Sequence, residues 1–203
     1  MVSANDVRAR GRKRDASIDA RILDVATRHL ADRGFEAVSL AAVAEEAGTT
    51  RQALYRRWPT KEALLGDVIR SGADNACAVA AEDPRHALEL ELADFEKAMQ
   101  RRGAIPIVGT MLQESTPHEA RECYRDNVLE PRQRRLRDIL GRAKEAQLID
   151  ATADLDVALS FATGAWYARA LAGDSAAADW AARTAALLWR AVGGSEATEP
   201  NPG

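Results

Sequence analysis

Cysteine is nearly absent: Cys77 and Cys123 are the two in 203 residues, and with no Cys-x-x-Cys spacing they predict neither a zinc knuckle nor a disulfide framework. Both are expected to be reduced, packed thiols. Aromatic residues make up 5% of the chain, and alternating β-branched runs bounded by turn clusters are missing, which excludes a strand-built fold. No stretch of about 18 apolar residues occurs, so no membrane span is predicted. The first residues carry charges without an apolar core or a small-residue cleavage site, and a cytoplasmic location is the expectation. His86 and His118 have no second ligand at metal spacing, and His29 falls on a helix, so no metal is expected. Gly-rich phosphate loops, Gly-x-Ser-x-Gly and His-Glu-x-x-His are missing too, which argues against an enzyme and against a bound cofactor.

What is present is helical period and segregated charge. The net charge is −3, yet residues 1–70 hold 13 Lys and Arg against 10 Asp and Glu, so the basic end is the first third. Arg8, Arg10, Arg12, Lys13 and Arg14 crowd ahead of the first apolar pattern. Such an arm, residues 1–16, suits either phosphate contact or plain solvation. Ile18, Ile22, Val25, Ala26 and Leu30 recur at three and four, predicting a helix over 17–32 that Gly34 stops. Ser39 precedes Leu40, Val43, Ala44 and Ala47 as a cap. Gly48 and Thr49 make a turn, and Thr50 caps a short helix carrying Arg51, Gln52, Leu54, Tyr55 and Arg56. Trp58-Pro59 ends it. Thr60 opens a longer helix through Leu64, Leu65, Val68 and Ile69. Further helices are predicted over 84–101, 104–115, 117–147, 153–172 and 175–192, with a disordered tail over 194–203. The fold class is therefore all-α.

Two short helices joined by a glycine turn and braced by a preceding helix form a helix-turn-helix, whose second short helix fits a major groove about 12 Å wide. At this point the residues speak together. Ile22 to Ala26, Leu30, Arg33-Gly34-Phe35-Glu36, Ser39 to Gly48 and Leu54-Tyr55-Arg56-Arg57-Trp58-Pro59-Thr60-Lys61-Glu62-Ala63-Leu64 resemble the TetR family signature over residues 17–68. Asn127-Val128-Leu129-Glu130-Pro131-Arg132 and the Ala-rich pair of helices that follows resemble one TetR subgroup.

The resemblance implies a ligand-responsive transcription regulator, in this family a repressor, working as a homodimer on double-stranded operator DNA. It makes Arg51 and Gln52 candidates for base edges, by guanine O6/N7 and adenine N6/N7 pairing respectively. Tyr55 matches the family tyrosine whose hydroxyl meets a phosphate. An aromatic at helical spacing is also an ordinary core residue, and both hold if the ring packs and the hydroxyl points out. Lys61 matches the phosphate-anchoring lysine at a helix start. Thr50, Arg56 and Ser39 are further phosphate candidates, Arg57 is expected on the same face, and Arg12, Lys13 and Arg14 reach an adjacent groove. Thr49 stands where the family more often has an apolar residue and Gln52 where a small one is common, which leaves the operator sequence open.

Residues 69–193 are implied to be a helical effector-binding and dimerisation domain. Its pocket candidates are Phe95, Met99, Ile105, Ile107, Met111, Leu112, Tyr124, Phe161 and Tyr167, for an effector the sequence does not name. Its dimer candidates are Leu159, Ala162, Trp166, Trp180, Leu187 and Leu188. By spacing alone each of these is also an ordinary core candidate. The rival reading is a helical interaction module without DNA binding, which the acidic balance allows and the cations of the short helix oppose.

Overall fold

The computed structural model describes residues 16–73, 81–173 and 179–195. Among them every regular element is helical. The basic arm with Arg12, Lys13 and Arg14, the tail beyond Ser195, and Cys77 lie outside the described residues.

In α1 (Ala16–Arg33) the residues Ile22, Val25, Ala26 and Leu30 are buried, as a 3.6-residue turn requires of positions three and four apart. Gly34, at φ 73°, bonds back to the Leu30 carbonyl at 3.0 Å in a left-handed conformation that a Cβ would strain. Three shorter helices follow, α2 (Leu40–Glu46), α3 (Arg51–Arg57) and α4 (Lys61–Gly72). Each is opened by a hydroxyl: Ser39 accepts from the Ala42 amide, Thr50 from Ala53 and Thr60 from Ala63. A cap of this kind stabilises a helix by about 1 kcal/mol. The inward faces of the four close one core around Ile22, Val43, Leu54 and Leu64.

The second core belongs to α5 (Pro84–Met99), α8 (Glu130–Glu145), α9 (Leu155–Ala172) and α10 (Trp180–Ala191). Leu88, Leu92, Phe95, Leu136 and Leu140 are its water-free centre. Phe95 meets Trp166, Tyr167 and Trp180 at ring distances of 6.4, 6.1 and 6.0 Å, and Trp166 meets Trp180 edge-on at 5.0 Å.

Between the two cores lie α6 (Ala104–Met111) and α7 (His118–Tyr124), which continues through a π-helical turn at Arg125–Leu129 into α8. The continuous helix expected over 117–147 is thus widened once, directly before Pro131. Proline brings no N–H and crowds the preceding turn, and the Asn127 side chain donates to the Cys123 carbonyl at 2.8 Å there. The helix expected over 104–115 ends early, at Met111. Pro117 steers its neighbour out of helical dihedrals, and the Thr116 hydroxyl instead bonds the Thr110 carbonyl.

The cores are joined at two places. α4 lies along α7 and the π turn, and α1 lies against α6. At the first joint Trp58 Nε1 donates to Asp67 at 2.7 Å. Asp67 also accepts from Arg70 Nε at 3.0 Å, and Arg70 reaches the Cys123 sulfur at 3.4 Å. At the second, Gly103 takes φ 85° and a Cβ there would stand 2.8 Å from Thr27 Cγ2.

Candidate DNA-reading head and effector cavity

The turn between α2 and α3 is tight because Gly48 takes φ 67° and the Thr49 amide bonds the Ala44 carbonyl at 2.9 Å. Leu54 then plugs the core with no exposed surface. On a helix of 3.6 residues per turn this turns Arg51, Gln52, Tyr55 and Arg56 outward together, and all four are exposed. Tyr55 is 46% exposed, so it is not a plain core residue. Thr50 and Ser39 sit exposed at the helix starts of the same head, each with its hydroxyl engaged in a cap.

One cation is placed differently from the sequence expectation, and another stands where expected with an added contact. Arg57 is tied to Asp19 of α1 at 2.7 Å with both side chains largely covered, so it braces α1 against α3 and leaves the open face. Lys61 donates to the Glu36 carbonyl at 3.3 Å and lies 4.3 Å from the centre of the Phe35 ring. Its ammonium closes the α1–α2 loop as well as standing at the α4 N-terminus.

The pocket candidates divide. Met99, Ile107 and Tyr124 line a cavity of about 140 Å3 between the two cores, whose walls also include Thr27 and Val68. Phe95, Tyr124 and Tyr167 line a smaller one of about 40 Å3 deeper in the second core. Met111 packs on the first core. Ile105, Leu112 and Phe161 are exposed, Leu112 by 81% and Phe161 by 72%, and line neither cavity. The cause is the early end of α6 for Leu112 and the outward face of α9 for Phe161. Burial pushes the Tyr124 and Tyr167 hydroxyls above the ordinary phenol range, so both stay protonated.

Of the residues expected at a dimer seam, Leu159, Ala162, Trp166, Trp180 and Leu188 are buried inside the single chain, because α9 and α10 turn them onto α5 and α8. Leu187 differs, at 63% exposed. It stands with Val157 and Phe161 around an open groove of about 560 Å3 along α9 and α10.

Against this geometry, the family model described as "Bacterial regulatory proteins, tetR family" matches residues 22–68, and "Tetracyclin repressor-like, C-terminal domain" matches residues 81–188. The chain belongs to the TetR family. Relatives extend the match. An uncharacterized HTH-type transcriptional regulator of Mycobacterium tuberculosis is 36% identical over 56 residues, which is 28% of this chain and 30% of that protein. The chain therefore spans under a third of that relative's length. The uncharacterized HTH-type regulator YdeS of Bacillus subtilis is 26% identical over 169 residues, 80% of this chain and 82% of its own. The fold is shared with Bacillus subtilis FadR, solved with stearoyl-CoA, at TM-score 0.69 and 16% identity over 87% of this chain and 99% of FadR.

Within this TetR-family chain, sequence reasoning missed three polar contacts that set the head. Arg57–Asp19 is one. The second is buried His29, whose Nε2 lies 2.7 Å from Glu46, with Arg28 on the same carboxylate. The His29 hydrogen bond, then Arg28, holds the Glu46 carboxyl below its ordinary range. The third is the Trp58–Asp67–Arg70–Cys123 joint. His29 at a helical apolar position four residues after Val25 was the available signal for the second; the others depend on tertiary placement.

Proposed function

We propose that this TetR-family regulator is a homodimeric repressor that holds duplex operator DNA with α3 and releases it when a small molecule enters between its two cores. The observation that carries the reading is the division of α3 into a buried anchor, Leu54, and an open face of Arg51, Gln52, Tyr55 and Arg56. Arg51 and Gln52 read base edges, while Tyr55, Arg56, Thr50, Ser39 and the Lys61 ammonium take phosphates. Residues 17–68 are then the DNA-binding part and 69–193 the effector and dimer part.

A dimer is supported by the exposed Val157, Phe161 and Leu187 on adjacent helices, an apolar face that a second copy of itself covers by two-fold symmetry. Two heads then meet half-sites roughly 34 to 36 Å apart. Ligand response is supported by the cavity whose walls come from both cores, since an occupant there distinguishes two settings of the heads. The structural neighbour FadR, solved with stearoyl-CoA, shows that this fold houses ligands in a relative. No described helix is long and apolar enough to cross a membrane, and the proposal places the protein in the cytoplasm with the DNA.

Selection of genomic fragments with the purified protein tests this. Enrichment of a short near-palindrome occupied by two copies is expected. A folded protein that enriches no duplex contradicts the proposal and returns the interaction-module reading.

A further inference from the structure

The far end of α3 is pinned by α4. Trp58 caps α3, with its amide on the Leu54 carbonyl at 2.9 Å and its side chain buried. A buried indole N–H requires an acceptor, and Asp67 of α4 supplies one, its Oδ2 accepting from Nε1 at 2.7 Å. The second oxygen of that carboxylate is taken too, since Oδ1 accepts from Arg70 Nε at 3.0 Å. A rotation of the carboxylate that suits one partner therefore breaks the bond to the other.

Arg70 carries the contact across to α7. Its Nη1 lies 3.4 Å from the Cys123 sulfur. A Cβ at Gly66, one turn earlier on α4, would stand 3.4 Å from the same guanidinium, so the glycine leaves it space against the helix. α7 meets α4 at this level, with the Cys123 thiol reaching the Gly66 carbonyl at 3.7 Å and Ala120 buried in the head core. An ion pair as exposed as Asp67–Arg70 contributes little by itself. Here it orients a carboxylate whose other bond is charge-assisted and goes to a buried donor.

Leu54 and Trp58 are four residues apart, so they mark one side of α3 at points about 6 Å apart along its axis. Leu54 alone would let α3 pivot. Trp58 supplies a second point toward α4, as Arg57–Asp19 does toward α1, and a base-reading constellation tolerates only about 0.5 Å of misplacement. We infer that Asp67 is a positioning residue for operator reading: it fixes the tail of α3 through Trp58 and takes its own orientation from Arg70, and so from α7. This rests on the DNA reading proposed for α3 and adds the route by which a helix between the two cores sets it. Movement of α7 away from α4 draws Arg70 off, leaves the carboxylate with one partner and loosens the tail of α3.

The test titrates the full chain with the selected operator and with a random duplex of equal length, at a temperature where thermal unfolding shows each variant folded. Asp67→Asn keeps the shape and removes the charge. It is expected to weaken operator binding about tenfold and random-duplex binding less than about twofold, because the cations proposed for phosphates stay in place. Arg70→Gln and Cys123→Ala are each expected to weaken operator binding about threefold, although neither residue belongs to α3, and to add nothing in the Asp67→Asn background. A purely structural role would lower Tm and leave the ratio of operator to random affinity as it was. An unchanged ratio in Asp67→Asn, or a Cys123→Ala loss that adds in full to that of Asp67→Asn, overturns the inference while the regulator stands. If Asp67→Asn does not fold, the ratios of Arg70→Gln and Cys123→Ala decide, and no change in either overturns it. Wild-type protein that binds no duplex contradicts the DNA reading itself, and the positioning role with it.

Discussion

At the residue scale the proposed regulator separates reading from holding. Arg51 and Gln52 project from α3 with no side-chain hydrogen bond or ion pair among the described residues, so Arg51→Ala or Gln52→Ala is expected to cost about 1 to 3 kcal/mol at particular base pairs and leave folding unchanged. Titration against a panel of single-base operator variants checks this, and equal losses on operator and random duplex would remove either residue from the base-reading set. Lys61 has two tasks. Lys61→Ala is expected to weaken all duplexes alike and to reduce the salt slope by about one phosphate. It also removes the contact over Phe35, worth about 0.5 to 1 kcal/mol at an exposed site, so a denaturant midpoint should fall with it. Glu46 carries a pH signature. Its folded carboxyl binds a proton less readily than the unfolded one, whose ordinary value is 4.5, so its stabilisation is present above that value and is lost as the pH falls through the lower folded value. Glu46→Gln is expected to flatten the acid limb of a urea-midpoint profile measured from about pH 6 to pH 3. An unchanged limb would show that His29 and Arg28 do not stabilise the carboxylate.

At the element scale, the head was legible because its signals are local. Ser39, Thr50 and Thr60 each cap the helix the sequence assigns them, and Gly34 and Gly48 take the left-handed angles that helix ends need. The second core was legible as helices and less so as faces. α9 is apolar nearly all round, so periodicity does not say which stripe packs inward, and Trp166 and Leu159 turned out to serve the chain's own core while Phe161 faces out. The π turn before Pro131 depends on where a proline ring falls in a packed helix, and neither it nor the stop after Met111 is encoded in an apolar pattern. The same faces make a prediction. Phe161→Glu with Leu187→Glu is expected to give a folded monomer, since both side chains are exposed in the single chain and like charges would oppose across a two-fold seam. Sedimentation reads the mass, and a dimer of undiminished affinity would place the seam elsewhere.

Across the whole molecule, the head and the cavity between the two cores are joined through α4, which starts at Lys61 and ends at Gly72 on the cavity wall, and through the Gly103–Thr27 contact of α1 with α6. The proposed regulator depends on the open face of α3 binding DNA by phosphate neutralisation, with base reading superposed. Titration of the selected duplex by wild-type protein and by Arg51→Ala across a range of salt tests both at once. A steep log-affinity slope of about −0.9 per phosphate neutralised is expected, with the variant's loss confined to particular base pairs. A flat salt dependence, with the protein folded and ligand-free, would contradict DNA binding by this face.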